Sequence, residues 1–530
     1  MASFKTKTCT FKDNEAYLEL SSRLKKEEVL AFKGSAGFYI IADARSKKAE
    51  QKIRELKQRP KKPFAIMVKD LKMARELAHI NKVEALMLDK DIKPILLLAS
   101  REDERKKIGL FLASTKEQKL LFDHIDFPII ATSCNVSSNP IIYNEDPLGL
   151  DYFDTEKSID FPLDDNLAFL VDEDLVFLRM SKFLRPLIYK SSFNKLGCFL
   201  ALGAEEKSSF AIYKDGLIIV SPPTGDLKNP LCLSLFLKHL NYFIDKYSLK
   251  FDLIIKDLHP DFSHNKLFKD YKQVGVQHHF AHALSLMFEY ELEEALCFAF
   301  DGLGYGSDAQ IWGAEVLRCN SKSFERLYHF DYFPLMAKGY KNTQFLAISI
   351  IEKYALDATN YYQNFKEEDL ESIKKVLSNT KLQTSSLGRI FDAFASIILG
   401  LNNPSYEGQS GLEIEELYDA SLNISYDFKI ENTVITYKEA FTKALKDSKE
   451  AAATGFLNGL ADLILKLSKD RKEAIILSGG VFQNKTLLSL VIKRFKQEGI
   501  KYYLPKNFSI NDEALALGQL YYAIKGDFNE

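Results

Sequence analysis

Two apolar runs that each end in glycine constrain this chain most. Residues 296–300 lead into Asp301 and then Gly302, Gly304 and Gly306, and residues 474–477 lead into Ser478, Gly479, Gly480 and on to Asn484. A strand that ends in a glycine turn lets backbone N–H groups approach a phosphate. A long, mostly helical insert separates the two runs. Two such units around a helical insert predict a two-lobed α/β domain with nucleotide between its lobes. A bare G-x-G-x-G after a strand is a weak signal alone, so what surrounds it carries the weight.

Just upstream, VQHHFAH places His278 and His282 four residues apart. On a helix the two imidazoles lie one above the other on one face. With the strand-end carboxylate of Asp301 they make a three-ligand metal site with room left for substrate. Zinc proteases use the same spacing but need Glu directly after the first His, and His279 stands there instead. Histidine pairs at this spacing also occur on surfaces and in cores. Asp512 opens a C-terminal helix beside Asn511. The residues alone favour a helix N-cap there, with a further metal ligand as the alternative.

At 530 residues the chain holds two or more domains. Its 46% hydrophobic and 27% charged content is that of a soluble globular protein. The formal net charge of −2 implies no general affinity for polyanions, so no nucleic-acid partner is expected. Six scattered cysteines include no C-x-x-C, which argues against a thiolate zinc site and a dense disulfide framework. No signal-peptide core and no apolar run of membrane-spanning length is present. The expected location is cytoplasmic, with no membrane partner.

The N-terminal part alternates strands and helices. A strand over 29–32 ends at Lys33-Gly34, and a helix over 46–57 ends at Lys57-Gln58-Arg59-Pro60, where proline stops it. A strand over 127–131 leads into Thr132, Ser133, Cys134 and Asn135. Lys33, Lys57, Arg59 and Lys62 at element ends, with hydroxyls and an amide nearby, suit a triphosphate or acyl-phosphate. A solvated lysine cluster and an ordinary polar turn are the plainer alternative. The expected division is a tail over 1–13, a domain over 14–150, a connector over 151–195 and a second domain over 196–526.

Three motifs in order, FKGSAGFYIIADA, RELKQRPKKPFAIMV and ATSCNVSSNPI, resemble the YrdC-type domain, which makes acyl-adenylates from ATP. The resemblance matches Lys57 and Arg59 to the family's K-x-R, Ser133 and Asn135 to its S-x-N, and Lys33 to the lysine before the glycine turn. Further on, LALGAEEKSSFAI, KDLHPDF, VQHHFAH, DGLGYGSDAQIWGAE, SLGRIFDAFA, SYEGQSG, SGGVFQN and ND-x-x-LALGQ resemble HypF, the carbamoyltransferases of hydrogenase maturation. That second domain is similar to the actin-like (ASKHA) two-lobed ATPase fold of tRNA threonylcarbamoyl transferases. The resemblance spans about residues 25–525 and makes the fold class α/β, a YrdC-like domain followed by an actin-like one.

The resemblance implies an ATP-dependent carbamoyltransferase. It would form carbamoyl-adenylate from carbamoyl phosphate and ATP with Mg2+, releasing pyrophosphate. It would pass the carbamoyl group to the C-terminal cysteine of a HypE-like acceptor, for the cyanide ligands of nickel–iron hydrogenase. His278, His282, Asp301 and Asp512 would bind one iron or zinc ion. Asp392, Gly408, Gly479, Gly480 and Asn484, with Gly302 and Gly304, would line the adenylate. Lys33, Lys57, Arg59, Thr132, Ser133 and Asn135 would hold ATP. The sequence departs from the family in three places. It shows no N-terminal acylphosphatase-like domain or zinc fingers. Ala113-Ser114-Thr115-Lys116 replaces a Pro-rich turn. The family's DDSV and RRARG segments are reduced to Asp172-Glu173-Asp174-Leu175 and to the residues from Met180 to Arg185. A small-molecule O-carbamoyltransferase of the antibiotic-tailoring kind usually has the two domains in the opposite order. A nucleotide-binding maturation platform would not need these motifs intact.

Overall fold

The computed structural model describes residues 2–144, 146–336 and 341–528. It divides into two compact units. The first holds Met1–Tyr189, Glu205–Phe210 and Ile218–Lys250; the second holds Lys190–Ala204, Ala211–Leu217 and Phe251–Glu530.

The first unit is built on a mixed sheet. In its middle the strands Leu30–Lys33, Phe38–Asp43 and Ile129–Ser133 run antiparallel, with Lys33 opposite Phe38 and Tyr39 opposite Ser133. This register brings Lys33 and Ser133 to the same end of the sheet. The helix Lys47–Lys57 buries Ala49 and Ile53 and is capped by Ser46, whose Oγ accepts from the Ala49 N–H. It ends at Gln58, which is left-handed, two residues before Pro60. The proline therefore follows the stop instead of making it.

Two expectations about the chain's layout change here. Ser3–Lys5, expected in the tail, is a strand, and so is Tyr152–Asp154, which pairs between it and Leu30–Lys33. The hairpin Leu167–Val171/Asp174–Arg179 then extends the sheet from Ile95–Ser100. Much of the expected connector is thus sheet. Strands of three residues are too short to show a period of two, and their acidic neighbours masked them. The second change is the helix Pro230–Tyr247, which groups with the first unit although it lies beyond the expected boundary. Asn229 caps it, and the Asn229 amide donates to Ser138 O (2.9 Å) and Asn139 Oδ1 (2.8 Å).

In the second unit the long strand Glu294–Tyr305 pairs antiparallel with Ile311–Asn320 and parallel with Ala474–Ser478. Phe298, Phe300, Ile476 and Leu477 are fully buried on this sheet. The strand does not stop at Asp301. It runs through Gly302 and Gly304, and its register jumps from Phe300/Ala314 to Gly304/Trp312. Residues 301–303 therefore stand opposite Gly313 alone, as a bulge, and the glycine turn begins only at Gly306. A bulge re-aims a side chain, and here it re-aims Asp301. Elsewhere in this unit Leu253–Asp257 lies parallel to both Cys198–Ala201 and Gln273–Val276. The C-terminal helix Leu515–Lys525 is pinned by buried Gln519, which accepts from Gly203 N–H (2.9 Å) and donates to Gly203 O (3.2 Å). Among the described residues no helix is long and apolar enough to cross a membrane, and all six cysteines are free.

Candidate functional site

His278 opens the helix His278–Glu289, and Gln277 caps it by accepting the Phe280 N–H. The expected spacing therefore does place His278 and His282 on one face. Asp301 reaches them from its bulge. Asp512 reaches them from the start of a 3-10 turn capped by Asn511, so Asn511 does the capping and Asp512 is left for the site. One ligand atom from each of the four residues lies within 4.8 Å of the others, in a buried group that could hold a metal ion. His278 Nε2 is 3.3 Å from Asp301 Oδ2, and His282 Nε2 is 3.5 Å from Asp512 Oδ1. Both Nδ1 atoms face outward from the cluster, to Asp257 Oδ2 at 2.8 Å for His278 and to Ser478 Oγ at 3.1 Å for His282.

The residues fit a cation. His282 Nε2 and Asp512 Oδ1 are buried without a hydrogen-bond partner among the described residues, which is costly unless something occupies the space between them. Charges agree. Burial alone depresses His278, but its bonds to Asp257 and Asp301 override this and hold it well above the ordinary imidazole value. Burial works the same way on His282, and Asp301 and Asp512 override it. Burial pushes Asp301 up, and the two imidazoles bring it well below the carboxylate range. The pocket thus attracts positive charge, which protons or a metal ion can supply. His279 points elsewhere: burial and the neighbouring His278 depress it, and its Nε2 lies 3.6 Å from buried Glu315.

Two glycines shape this centre. A Cβ on Gly304 would lie 2.3 Å from His279 Cε1 and 2.8 Å from His278 Cδ2. Its missing side chain makes room for the imidazoles. Gly304→Ala is expected to cost about 1–3 kcal/mol by overpacking, seen as a lower thermal midpoint, and to weaken metal uptake by displacing His278. An unchanged midpoint would contradict this packing role. Gly479 has φ +106°, and a Cβ there would meet the Phe300 carbonyl at 2.2 Å. The close approach lets the next N–H, from Gly480, donate to Asp301 Oδ1 at 3.0 Å. That donor is spent on the carboxylate.

The other residues expected around a nucleotide form a connected set. Asp392 Oδ1 accepts from Ser410 Oγ (2.5 Å), and its Oδ2 pairs with Arg389 at 2.9 Å. Asn484 caps the helix Lys485–Gln497 and donates to Gly411 O (3.0 Å). Gly408 precedes the helix Gln409–Glu416 in a left-handed conformation, with open space where a side chain would stand. Gly302 packs on Gly388, one residue before Arg389. The set therefore adjoins Asp301.

In the first unit Lys57, Ser133 and Asn135 come together. The buried Lys57 ammonium donates to Ser133 O, Asn135 O (3.0 Å) and Asn135 Oδ1 (2.6 Å), and Ser133 Oγ also donates to Asn135 Oδ1 (2.9 Å). All three ammonium donors are engaged by the loop. Arg59 lies in the following turn, bonded to the Lys62 and Pro63 carbonyls and stacked on Phe64. Thr132 is buried in the strand opposite Ile40. Lys33 does not join Lys57; it pairs with Asp154 at 3.2 Å, on the strand expected as connector. Reading the sequence missed Asp257 and Ser478. Both end a strand, as Asp301 was expected to, and that shared position was the available signal.

The fold defines a class: a chain with a YrdC-like domain followed by a Kae1-like domain. Residues 22–173 match the Sua5/YciO/YrdC family model, described as telomere recombination. Residues 194–289 match the HypF Kae1-like domain, and 297–519 match the carbamoyltransferase, Kae1-like domain, second subdomain. The carbamoyltransferase HypF of Synechocystis sp. is 29% identical across 96% of this chain and 73% of its own. That of Rhizobium leguminosarum is 26% identical across 97% and 72%. A crystal structure of full-length HypF in the phosphate- and nucleotide-bound form superposes with TM-score 0.91 at 27% identity, covering 99% of this chain and 74% of that one. The chain belongs to the HypF carbamoyltransferase family.

Proposed function

We propose that this chain is an ATP- and carbamoyl phosphate-dependent carbamoyltransferase of hydrogenase maturation, acting on the C-terminal cysteine of a HypE-like acceptor. The observation that carries the reading is the convergence of His278, His282, Asp301 and Asp512 in one buried cluster, in a chain related to HypF along 96% of its length.

In the first step carbamate, released from carbamoyl phosphate, attacks the α-phosphorus of ATP bound with Mg2+. An oxygen–phosphorus bond forms, pyrophosphate leaves, and carbamoyl-adenylate results. Arg59 and the loop fixed by Lys57, Ser133 and Asn135 neutralise and orient the phosphates. In the second step the acceptor thiolate attacks the carbamoyl carbon, a carbon–sulfur bond forms, and AMP leaves with the oxygen. Asp392, Gly408 and Asn484 hold the adenylate there, beside Asp301. Two imidazoles and two carboxylates without thiolate suit one iron or zinc ion. Held by His278, His282, Asp301 and Asp512, such an ion would supply Lewis acidity.

The test is pyrophosphate release from ATP with and without carbamoyl phosphate, supplemented by an acylphosphatase, followed by transfer of labelled carbamoyl to a peptide ending in cysteine. Release that needs carbamoyl phosphate, and label on the cysteine, are expected. No release under any of these conditions would leave the chain as a nucleotide-binding platform.

A further inference from the structure

We propose that Asp257 is a positioning residue of the metal centre: it fixes His278 as the stronger of two unlike imidazole donors. The inference rests on the metal reading above and gives the KDLHPDF motif a task.

An imidazole can coordinate through only the nitrogen that lacks a proton, and the partner of the other nitrogen decides which one that is. Asp257 offers a carboxylate, which only accepts, so His278 Nδ1 at 2.8 Å must carry the proton. That leaves Nε2, the atom that faces Asp301 and Asp512, as the nitrogen that gives up its proton to an incoming ion. The negative charge behind the ring also raises its donor strength. His282 differs. Its Nδ1 meets the Ser478 hydroxyl at 3.1 Å, which can donate or accept and adds no charge.

Asp257 is placed by backbone. It is 1% exposed, and its Oδ1 accepts the His259 N–H at 2.8 Å, which holds the carboxylate plane. It lies opposite Val276 in the parallel pair Leu253–Asp257/Gln273–Val276, and the helix bearing His278 starts two residues beyond Val276. Strand register thus sets the Asp257–His278 distance before any ion arrives.

The metal-free full chain would be titrated with Zn2+ against a chelator of known affinity, as wild type, Asp257→Asn and Ser478→Ala. Asp257→Asn is expected to weaken zinc about 10- to 100-fold and Ser478→Ala less, with similar thermal midpoints for the metal-free proteins. The Co2+-loaded chain should also shift its visible ligand-field bands in Asp257→Asn, which a purely structural role would not produce. Wild-type affinity and unshifted bands in Asp257→Asn would overturn the proposal. If Asp257→Asn does not fold, Asp257→Glu carries the same comparison, since it keeps the charge and displaces the carboxylate from Nδ1. If the wild type itself takes up neither Zn2+ nor Fe2+, the metal reading has failed, and that failure is visible in the wild type alone.

Discussion

On the proposed function, Asp301→Asn is expected to abolish metal binding and with it carbamoyl transfer, while pyrophosphate release continues. Asparagine keeps the volume, and its oxygen can still accept the Gly480 N–H that Asp301 Oδ1 now takes. The amide NH2 is then turned toward His278 and His282, where the second carboxylate oxygen stood at 3.3 and 3.7 Å. A donor replaces a ligand, and one negative charge is lost from a site that needs it. Four-ligand structural zinc sites bind with about 10–16 kcal/mol, so losing one ligand costs about 3–4 kcal/mol, on the order of 10³-fold in affinity. Transfer to a cysteine peptide should fall in proportion. Carbamoyl phosphate-dependent pyrophosphate release should not, because Lys57, Ser133 and Asn135 belong to the other compact unit. Metal content and the two half-reactions would be measured on one preparation. A variant that keeps both metal and transfer would reduce the cluster to a buried ion-pair network.

The sequence made some of this legible because periodicity and motif spacing are local. The His278/His282 face follows from a helical repeat, and the strand–glycine pattern around Asp301 and Ser478 from apolar runs that end in glycine. What it hid was long-range. Asp154, which pairs with Lys33, and the strand that carries it were taken for connector, because a three-residue strand is stabilised by its neighbours and not by its own pattern. The helix Pro230–Tyr247 is legible as a helix, but nothing in its repeat says which unit it packs on. The packing of Gly304 on the histidines was hidden too, since a G-x-G pattern does not say which atoms fill the space that a missing Cβ leaves. Here they are the rings of His278 and His279. Asp257 lies 44 residues before Asp301 in sequence, and only the parallel pairing of Asp257 with Val276 brings it to His278.

Lys57→Met is expected to stop adenylate formation and to destabilise the first unit, for separable reasons. The wild-type ammonium satisfies three oxygens: Ser133 O, Asn135 O and Asn135 Oδ1. Methionine fills the space and satisfies none. Asn135 Oδ1 keeps the Ser133 Oγ donor, so the loss falls on the two carbonyls; each orphaned buried acceptor costs about 1–3 kcal/mol, and a loss of a few kcal/mol should appear as a lower thermal midpoint. Pyrophosphate release should fall at least about 100-fold, the scale of losing one preorganised electrostatic contact. The charge of Lys57 has its own signature. Burial, reinforced by the Arg59 charge, lowers it to about 8 from an ordinary 10.5. Its folded value lies below its unfolded one, so the associated stability is complete above about 10.5 and is lost as pH falls through about 8. The proposed adenylate step needs the opposite form, because only the ammonium attracts phosphate. Hence kcat/KM for ATP should decline as pH rises through about 8, while thermal stability gains over the same range. A protein that becomes more stable and less active together across that window would identify Lys57 as the titrating group, and a flat profile up to pH 10 would exclude it. This opposition explains why the loop spends three acceptors on one lysine. They oppose the burial that would otherwise neutralise it, and so keep a cation at the end of the Ile129–Ser133 strand at physiological pH, at a cost to the fold that a neutral residue would avoid.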